Sequence, residues 1–331
     1  MVKQGDRQEP TSRRLPLEQL RRLFGERLQE NVPLARYTSA RIGGPADALL
    51  VVNSADELKG AAETLWDLEL SFFILGGGSN VLVSDAGVRQ VVILNRAKNI
   101  RFEEREDHPV VRAESGASIG VISRQASIRG YPGLEWAAGI PGSLGGAVVG
   151  NAGAYGSDMA GNLILAEILH HSRVMGTARL KGGSASQKTW TADQLKFSYR
   201  SSTLKSMPGE AVVLAALLRL GRSMPGGQIE IQARMAAFND QRRRTQPPGA
   251  SMGSMFKNPP GDYAGRLIDA VGLKGTRIGD AEISQLHANF FINHGKARAK
   301  DVLALVELAH SRVAEMFSVN LETEIEFIGE W

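Results

Sequence analysis

The sequence predicts an α+β fold of three successive units, and three observations carry that prediction. Short apolar runs of strand length alternate with longer stretches of helical period. Glycine-rich segments punctuate the chain at 76–80 and 138–156. The pattern breaks at residues 221–227 (Gly-Arg-Ser-Met-Pro-Gly-Gly), a plausible unit boundary.

Residues 1–15 are mostly polar and aperiodic and read as a disordered tail. Pro16 suits the start of a short amphipathic helix over 17–28, with Leu17, Leu20, Phe24 and Leu28 near helical spacing. The first unit then offers a strand at 48–52, Ser54 as a helix cap, a helix over 55–68, and strands at 72–75 and 91–94. In the second unit, about 98–222, strands are expected at 110–113, 163–168 and 212–220, with a helix over 119–129. The third unit opens with a helix over 229–239 and a long Pro/Gly/Ser-rich loop at 244–262. A helix over 263–271, a strand at 290–293 and a helix capped by Asp301 and reaching Phe317 follow. A closing strand is expected at 321–328, with Leu321, Ile325 and Phe327 on one side and Glu322, Glu324 and Glu326 on the other.

Composition narrows the function classes. The 331 residues are 43% hydrophobic and 22% charged, ordinary for a globular protein with a large core. A net charge of +4 suits an anionic small molecule. The run Arg242-Arg243-Arg244 is too narrow for a nucleic-acid surface, and aromatic residues, at 6%, are too few for a base-stacking platform. The absence of cysteine excludes a disulfide framework, thiol chemistry and cysteine-ligated zinc, and fits a reducing cytoplasm. The charged N-terminus is not a signal peptide, and the apolar run 211–218 is too short to span a bilayer. The histidines do not form a His-Glu-x-x-His pair, so no metal site is expected. Neither a nucleic-acid nor a membrane partner is expected, and the chain is read as a monomer or weak oligomer.

The segment 138–156 holds seven glycines: Gly139, Gly142, Gly145, Gly146, Gly150, Gly153 and Gly156. Glycine costs conformational entropy, so this density marks backbone with positive φ or main chain lying bare against a bulky ligand. The interleaved Ile140, Leu144, Val148 and Val149 argue against a flexible linker, although tight turns at sheet corners remain an alternative. Gly76-Gly-Gly-Ser-Asn-Val-Leu82 follows a strand, where backbone N–H groups can cradle phosphate oxygens. It is neither a P-loop nor a dinucleotide fingerprint, since Val81 stands where the third glycine would be. Two such backbone surfaces match a pyrophosphate-bridged cofactor in size.

Several motifs, in order from about residue 30 to the end, resemble the UDP-N-acetylenolpyruvoylglucosamine reductase family. They are Tyr37-Thr-Ser-Ala-Arg-Ile-Gly-Gly-Pro-Ala-Asp47, Leu75-Gly-Gly-Gly-Ser-Asn-Val-Leu82, Ala138-Gly-Ile-Pro-Gly-Ser-Leu-Gly-Gly-Ala147 and Asn151-Ala-Gly-Ala-Tyr-Gly156. Phe197-Ser-Tyr-Arg200, Thr245-Gln-Pro247, Gly253-Ser-Met-Phe-Lys-Asn-Pro259 and Leu321-Glu-Thr-Glu-Ile-Glu-Phe-Ile-Gly329 complete the set. The resemblance implies a two-part FAD-binding region of the vanillyl-alcohol-oxidase type (subdomains 16–97 and 98–222), then an α+β substrate-binding domain (223–320) and a C-terminal strand (321–331) bringing Glu324 to the active site. It implies bound FAD, NADPH as hydride donor, and reduction of UDP-N-acetylglucosamine enolpyruvate to UDP-N-acetylmuramate in cytoplasmic peptidoglycan precursor synthesis.

The resemblance also implies roles. Arg200 binds the substrate carboxylate, Glu324 stabilises the enolic intermediate as a hydrogen-bond donor, and Ser254 gives its proton to the α-carbon. FAD contacts are implied at Arg41, Ile42 and Gly43; at Leu75, Gly76, Gly77, Gly78, Ser79, Asn80 and Val81; and at Ser115, Gly116 and Ala117. Further contacts are implied at Gly139, Ile140, Pro141, Gly142, Gly145, Gly146 and Ala147, and at Asn151 and Ala152. Substrate contacts are implied at Tyr199, Arg244, Lys257, Asn258 and His287. Only a short segment separates Tyr199-Arg200 from the strand at Val212, which resembles the form of the family lacking an added tyrosine loop. Without the resemblance, Arg200 reads as a surface charge, Ser254 as a turn residue and Glu324 as part of a solvated strand face. An FAD oxidase of the same fold and a nucleotide-sugar sensor are the competing readings. The presence of all three residues argues against both.

Overall fold

The computed structural model describes residues 15–171 and 185–331; the tail expected over 1–15 lies outside them except for its last residue. The first sheet runs in the order Leu28–Pro33, Pro45–Val52, Val88–Asn95, Phe72–Leu75. Its first pair is antiparallel and the other two are parallel. The helix Ala55–Asp67 starts where expected, because the Ser54 hydroxyl accepts a hydrogen bond from the Glu57 N–H at 3.1 Å. The expected first helix is shorter than its period implied. It spans Leu17–Phe24 and ends at Gly25, whose φ of 56° no other residue type adopts as cheaply. Leu28, read as its last apolar residue, instead opens an edge strand against Leu50. The polar run Gln29-Glu30-Asn31 hid that strand, since an edge strand tolerates solvated residues.

The second sheet is antiparallel throughout, in the order Ala185–Thr191, Leu163–His171, Ala211–Arg219, Val110–Glu114, Ile100–Glu103. Ile119–Ile128 and the short Leu144–Val149 helix pack their buried residues into the same core cluster as its strands. The glycine-rich segment is therefore partly helical, capped by the Ser143 hydroxyl at the Gly146 N–H.

The third sheet runs Ala250–Ser254, Phe290–Asn293, Ala281–Ile283, Arg277–Ile278, covered by the helices Ala264–Ala270 and Ala299–Phe317. Asp301 reaches back to the Arg298 N–H at 2.9 Å, while the N-terminal Ala299 and Lys300 N–H groups are met by the Asp85 carboxylate at 2.8 and 3.0 Å. That helix is thus capped partly from the first unit, 214 residues away in sequence. The helix Gly227–Thr245 runs six residues beyond its expected end, and the loop expected at 244–262 contains the strand Ala250–Ser254. Ala-Ser-Met-Gly-Ser carries no β-branched or aromatic residue. It is a strand because Phe290–Asn293 pairs with it, with a register irregularity between Ser251 and Ser254 at Gly253, φ 78°.

The expected strand at 321–328 resolves into two parts. Only Glu326–Ile328 is a regular strand, parallel to Val81–Val83 of the first unit. The preceding residues lie along the third unit instead. Glu322 accepts from the Lys257 N–H, and the Glu324 N–H donates to the Met255 carbonyl, at 2.8 and 2.9 Å. The Glu326 N–H then donates to Asn80 at 2.9 Å. The closing segment therefore changes partners from the third unit to the first within a few residues, and Glu324 sits at the crossing.

Candidate active site

The two glycine segments touch. A Cβ on Gly76 would lie 2.2 Å from the Ser143 Oγ, and one on Gly77 would lie 3.0 Å from the Gly142 Cα. At Gly78, φ 60°, a Cβ would lie 2.0 Å from the Tyr37 carbonyl oxygen. Only bare main chain fits there. The Ser79 hydroxyl donates to the Pro141 carbonyl at 3.3 Å and closes the contact.

Beside this junction is a cavity of about 2550 Å³, lined from all three units. A single small-molecule site usually occupies roughly 300–1000 Å³, so the cavity has room for a dinucleotide and a second ligand together. Its wall includes most of the residues expected at the cofactor: 75–81, Ser115, 139–142, Gly145, Gly146, Ala147 and Ala152. These glycine-bared main chains fit a large phosphate-bearing group. The other six expected cofactor residues do not line it. Ile42 is buried, with its N–H and carbonyl both bonded to the Thr38 hydroxyl. The Arg41 carbonyl faces the Asn293 amide, and Gly43 packs on Val83. Gly116 lies against the Ala97 carbonyl, and Ala117 is fully buried. The Asn151 side chain is spent within the protein: its amide donates to the Ser198 carbonyl and Asp158, and its oxygen accepts from the Ala160 N–H.

Asn151 thereby anchors the turn that carries Arg200. Ser198 and Ser201 exchange two backbone hydrogen bonds of 3.1 Å, forcing Arg200 to φ 55°. A non-glycine residue held in that region costs of order 1–3 kcal/mol, supplied by surrounding contacts. The Lys205 ammonium also holds the Arg200 carbonyl, at 3.1 Å. The Arg200 side chain enters the cavity, where its Nη1 donates to the Gly153 carbonyl at 3.2 Å and its Nε lies 2.8 Å from the Glu324 Oε1. The Nε–H is not aligned on that oxygen, so this buried donor has an ionic neighbour but no hydrogen-bond acceptor. Burial pushes the Glu324 carboxyl above the usual carboxylate range, against the pull of Arg200, Lys205 and Lys257. Glu326, next on the same side, is also pushed up by burial. Ser254 completes the group at the cavity wall, one residue before the Met255 carbonyl that receives the Glu324 N–H. Arg200, Ser254 and Glu324, far apart in sequence, thus share one cavity.

The expected substrate residues are not part of that wall. Tyr199 is exposed, with its hydroxyl 3.5 Å from the Asn258 N–H. Lys257 pairs with Glu322 at 2.5 Å, and the Asn258 side-chain oxygen accepts from the Ala264 N–H at the start of a helix. His287 is half-buried and accepts from the Asn289 N–H. Burial lowers its proton affinity, and its ring meets Phe290 edge-on, which is a packing role. Arg244 points to solvent because it falls on the outer face of its helix.

The cavity arginine on that helix is Arg242, which sequence reasoning passed over. It packs over Gly139, where a Cβ would lie 3.3 Å from its Cδ, and stands near Tyr155. Burial lowers its proton affinity, and among the described residues no carboxylate lies within ion-pair distance of it. The available signal was helical phase: Arg242 follows Ile231 and Phe238 at spacings of eleven and four, on the inward face. Tyr155 itself stacks on Phe238 with centroids 3.9 Å apart and donates to the Phe238 carbonyl.

Comparisons with known proteins match the chain in two stretches and along most of its length. A family model described as "FAD binding domain" matches residues 46–175, and one described as "UDP-N-acetylenolpyruvoylglucosamine reductase, C-terminal domain" matches residues 244–328. A UDP-N-acetylenolpyruvoylglucosamine reductase of Chloroflexus aggregans is 42% identical over 91% of this chain and 97% of its own length. The enzyme of that name from Bacillus subtilis is 40% identical over 90% of this chain and 93% of its own length. The crystal structure of the Thermus caldophilus UDP-N-acetylenolpyruvylglucosamine reductase is 36% identical and superposes with a TM-score of 0.71, covering 90% of this chain and 97% of that one.

Proposed function

The chain belongs to the UDP-N-acetylenolpyruvoylglucosamine reductase family, and from that premise we propose how its own residues carry the reaction. It is an FAD-dependent oxidoreductase of peptidoglycan precursor synthesis, using NADPH and a UDP-sugar substrate. Residues 75–81 and 139–142 would hold FAD, which would supply the hydride for the vinyl carbon of the enolpyruvyl ether. Arg200 grips the substrate carboxylate through its free Nε–H and an adjacent Nη, two parallel hydrogen bonds that fix the ether in place. Charge moving into that carboxylate as the vinyl group is reduced meets the guanidinium and a hydrogen bond from protonated Glu324. The Ser254 hydroxyl delivers the proton to the α-carbon. Serine is a weak acid, so the step rests on a strongly basic carbon and close placement.

Arg242 takes the place assigned from sequence to Arg244, as a second guanidinium for anionic parts of the ligands. Tyr199, Lys257 and Asn258 contact the nucleotide sugar at the edge of the site, and Tyr155 with the 244–262 segment helps cover it. We divide the chain as 16–97 and 98–222 for FAD, 223–320 for substrate and 321–331 to deliver Glu324, and place the reaction in the cytoplasm.

The observation that carries this reading is the Arg200–Glu324 contact at 2.8 Å in the same cavity as Ser254 and the glycine-bared walls. Its test is Arg200→Met. The variant should keep its flavin and its reduction by NADPH while losing affinity for the enolpyruvyl sugar and the rate of its reduction. Undiminished sugar reduction would refute the assignment.

A further inference from the structure

We infer that the substrate's own carboxylate converts Glu324 into an acid: by occupying Arg200 it draws one proton from solvent onto Glu324 as it binds. This rests on the reading of the site above and explains how a glutamate beside an arginine comes to donate a hydrogen bond.

The geometry carries the argument. Without ligand, the Arg200 guanidinium 2.8 Å from the Glu324 carboxyl favours its charged form, yet the contact is poorly made. The Nε–H is misaligned on the carboxylate, and Nη1 is turned to the Gly153 carbonyl. An incoming carboxylate that takes the Nε–H in line makes the better bond and competes for the same positive charge. Two carboxylates then face one guanidinium inside a cavity where the Glu324 side chain is only 16% exposed. Such a pair favours keeping one proton, and the substrate carboxylate, doubly bonded to Arg200, is the poorer site for it.

The other charges around Glu324 do not replace what Arg200 gives up. From the same turn, Lys205 is bonded to the Arg200 carbonyl. From the segment after Ala250–Ser254, Lys257 is paired with Glu322 at 2.5 Å. On its own segment, Glu326 is another carboxyl pushed up by burial. The first unit contributes the Asn80 amide, a neutral group bonded to the Glu324 carbonyl at 3.2 Å. Arg242, on the same cavity wall, stands beside Tyr155 and Arg200. Burial already favours the neutral form of Glu324, and Arg200 is the largest influence opposing it. The step balances simply: one proton passes from water or buffer to a Glu324 carboxylate oxygen, and no electrons move.

The test is calorimetric titration of the oxidised holoenzyme, without NADPH, at one near-neutral pH in two buffers of different ionisation heat. The ligands are UDP-N-acetylmuramate, which carries the ether carboxylate, and UDP-N-acetylglucosamine, which lacks it. We expect net proton uptake with the first and none with the second, abolished in Glu324→Gln and retained in Glu326→Gln. Equal proton numbers for the two ligands, no uptake with either, or uptake surviving Glu324→Gln would overturn the inference. If neither nucleotide sugar bound at all, the functional assignment itself would fall, and the inference with it.

Discussion

Three neighbouring glutamates show how position decides chemistry at the residue scale. Glu322, Glu324 and Glu326 alternate identically in sequence, yet the Glu322 side chain is 72% exposed and the Glu324 side chain 16%. The period-two pattern told which side they share but not what covers it, because the cover is Arg200 from another unit. Only the ordered motif distinguished Glu324. Its burial has a measurable consequence. The fold binds the Glu324 proton more tightly than the unfolded chain, whose value is the ordinary 4.5. This group's contribution to stability is therefore intact below that value and falls as pH rises through the folded value. Glu324→Gln should gain stability relative to the parent as pH is raised across that window, read from urea midpoints. A difference that stays flat or reverses would contradict the burial argument. Ser254→Ala should leave flavin reduction by NADPH unchanged and slow reduction of the enolpyruvyl sugar by about 10²–10⁴-fold, the usual worth of a positioned proton donor. Stopped-flow half-reactions separate the two.

At the scale of elements, glycine density and apolar periodicity made most strands and helices legible, and what escaped was context. The strand Ala250–Ser254 has no propensity of its own and exists by pairing with Phe290–Asn293. The polar edge strand Leu28–Pro33 has no apolar alternation to mark it, and its first residue reads as the end of the preceding helix. The far end of Gly227–Thr245 was misjudged, and with it the arginine that faces the cavity. The closing segment was predicted as one strand, but its change of partners depends on two separate units meeting. Gly329 secures that segment, with φ 97° and a would-be Cβ 2.3 Å from the Gly87 carbonyl oxygen. Gly329→Ala should cost about 1–3 kcal/mol in global stability and lower turnover by displacing Glu324. Calorimetric melting with a parallel rate measurement checks both. Gly78→Ala should instead lose flavin on gel filtration, because its Cβ would force the phosphate-cradle turn off the Tyr37 carbonyl.

Across the whole molecule, a family model for FAD binding over 46–175 and one for the reductase C-terminal domain over 244–328 flank the segment that carries Arg200. The site draws on both halves: Glu324, beside Arg200, is held by the Met255 carbonyl on one side and the Asn80 amide on the other, just before the final strand pairs with Val81–Val83. Among the described residues no helix is long and apolar enough to cross a membrane. The most direct measurement is an anaerobic visible spectrum of the purified protein, titrated first with NADPH and then with UDP-N-acetylglucosamine enolpyruvate. A flavin band near ~450 nm that bleaches with NADPH and returns with the enolpyruvyl sugar is the predicted result. A band that bleaches and returns only when air is admitted would contradict the account.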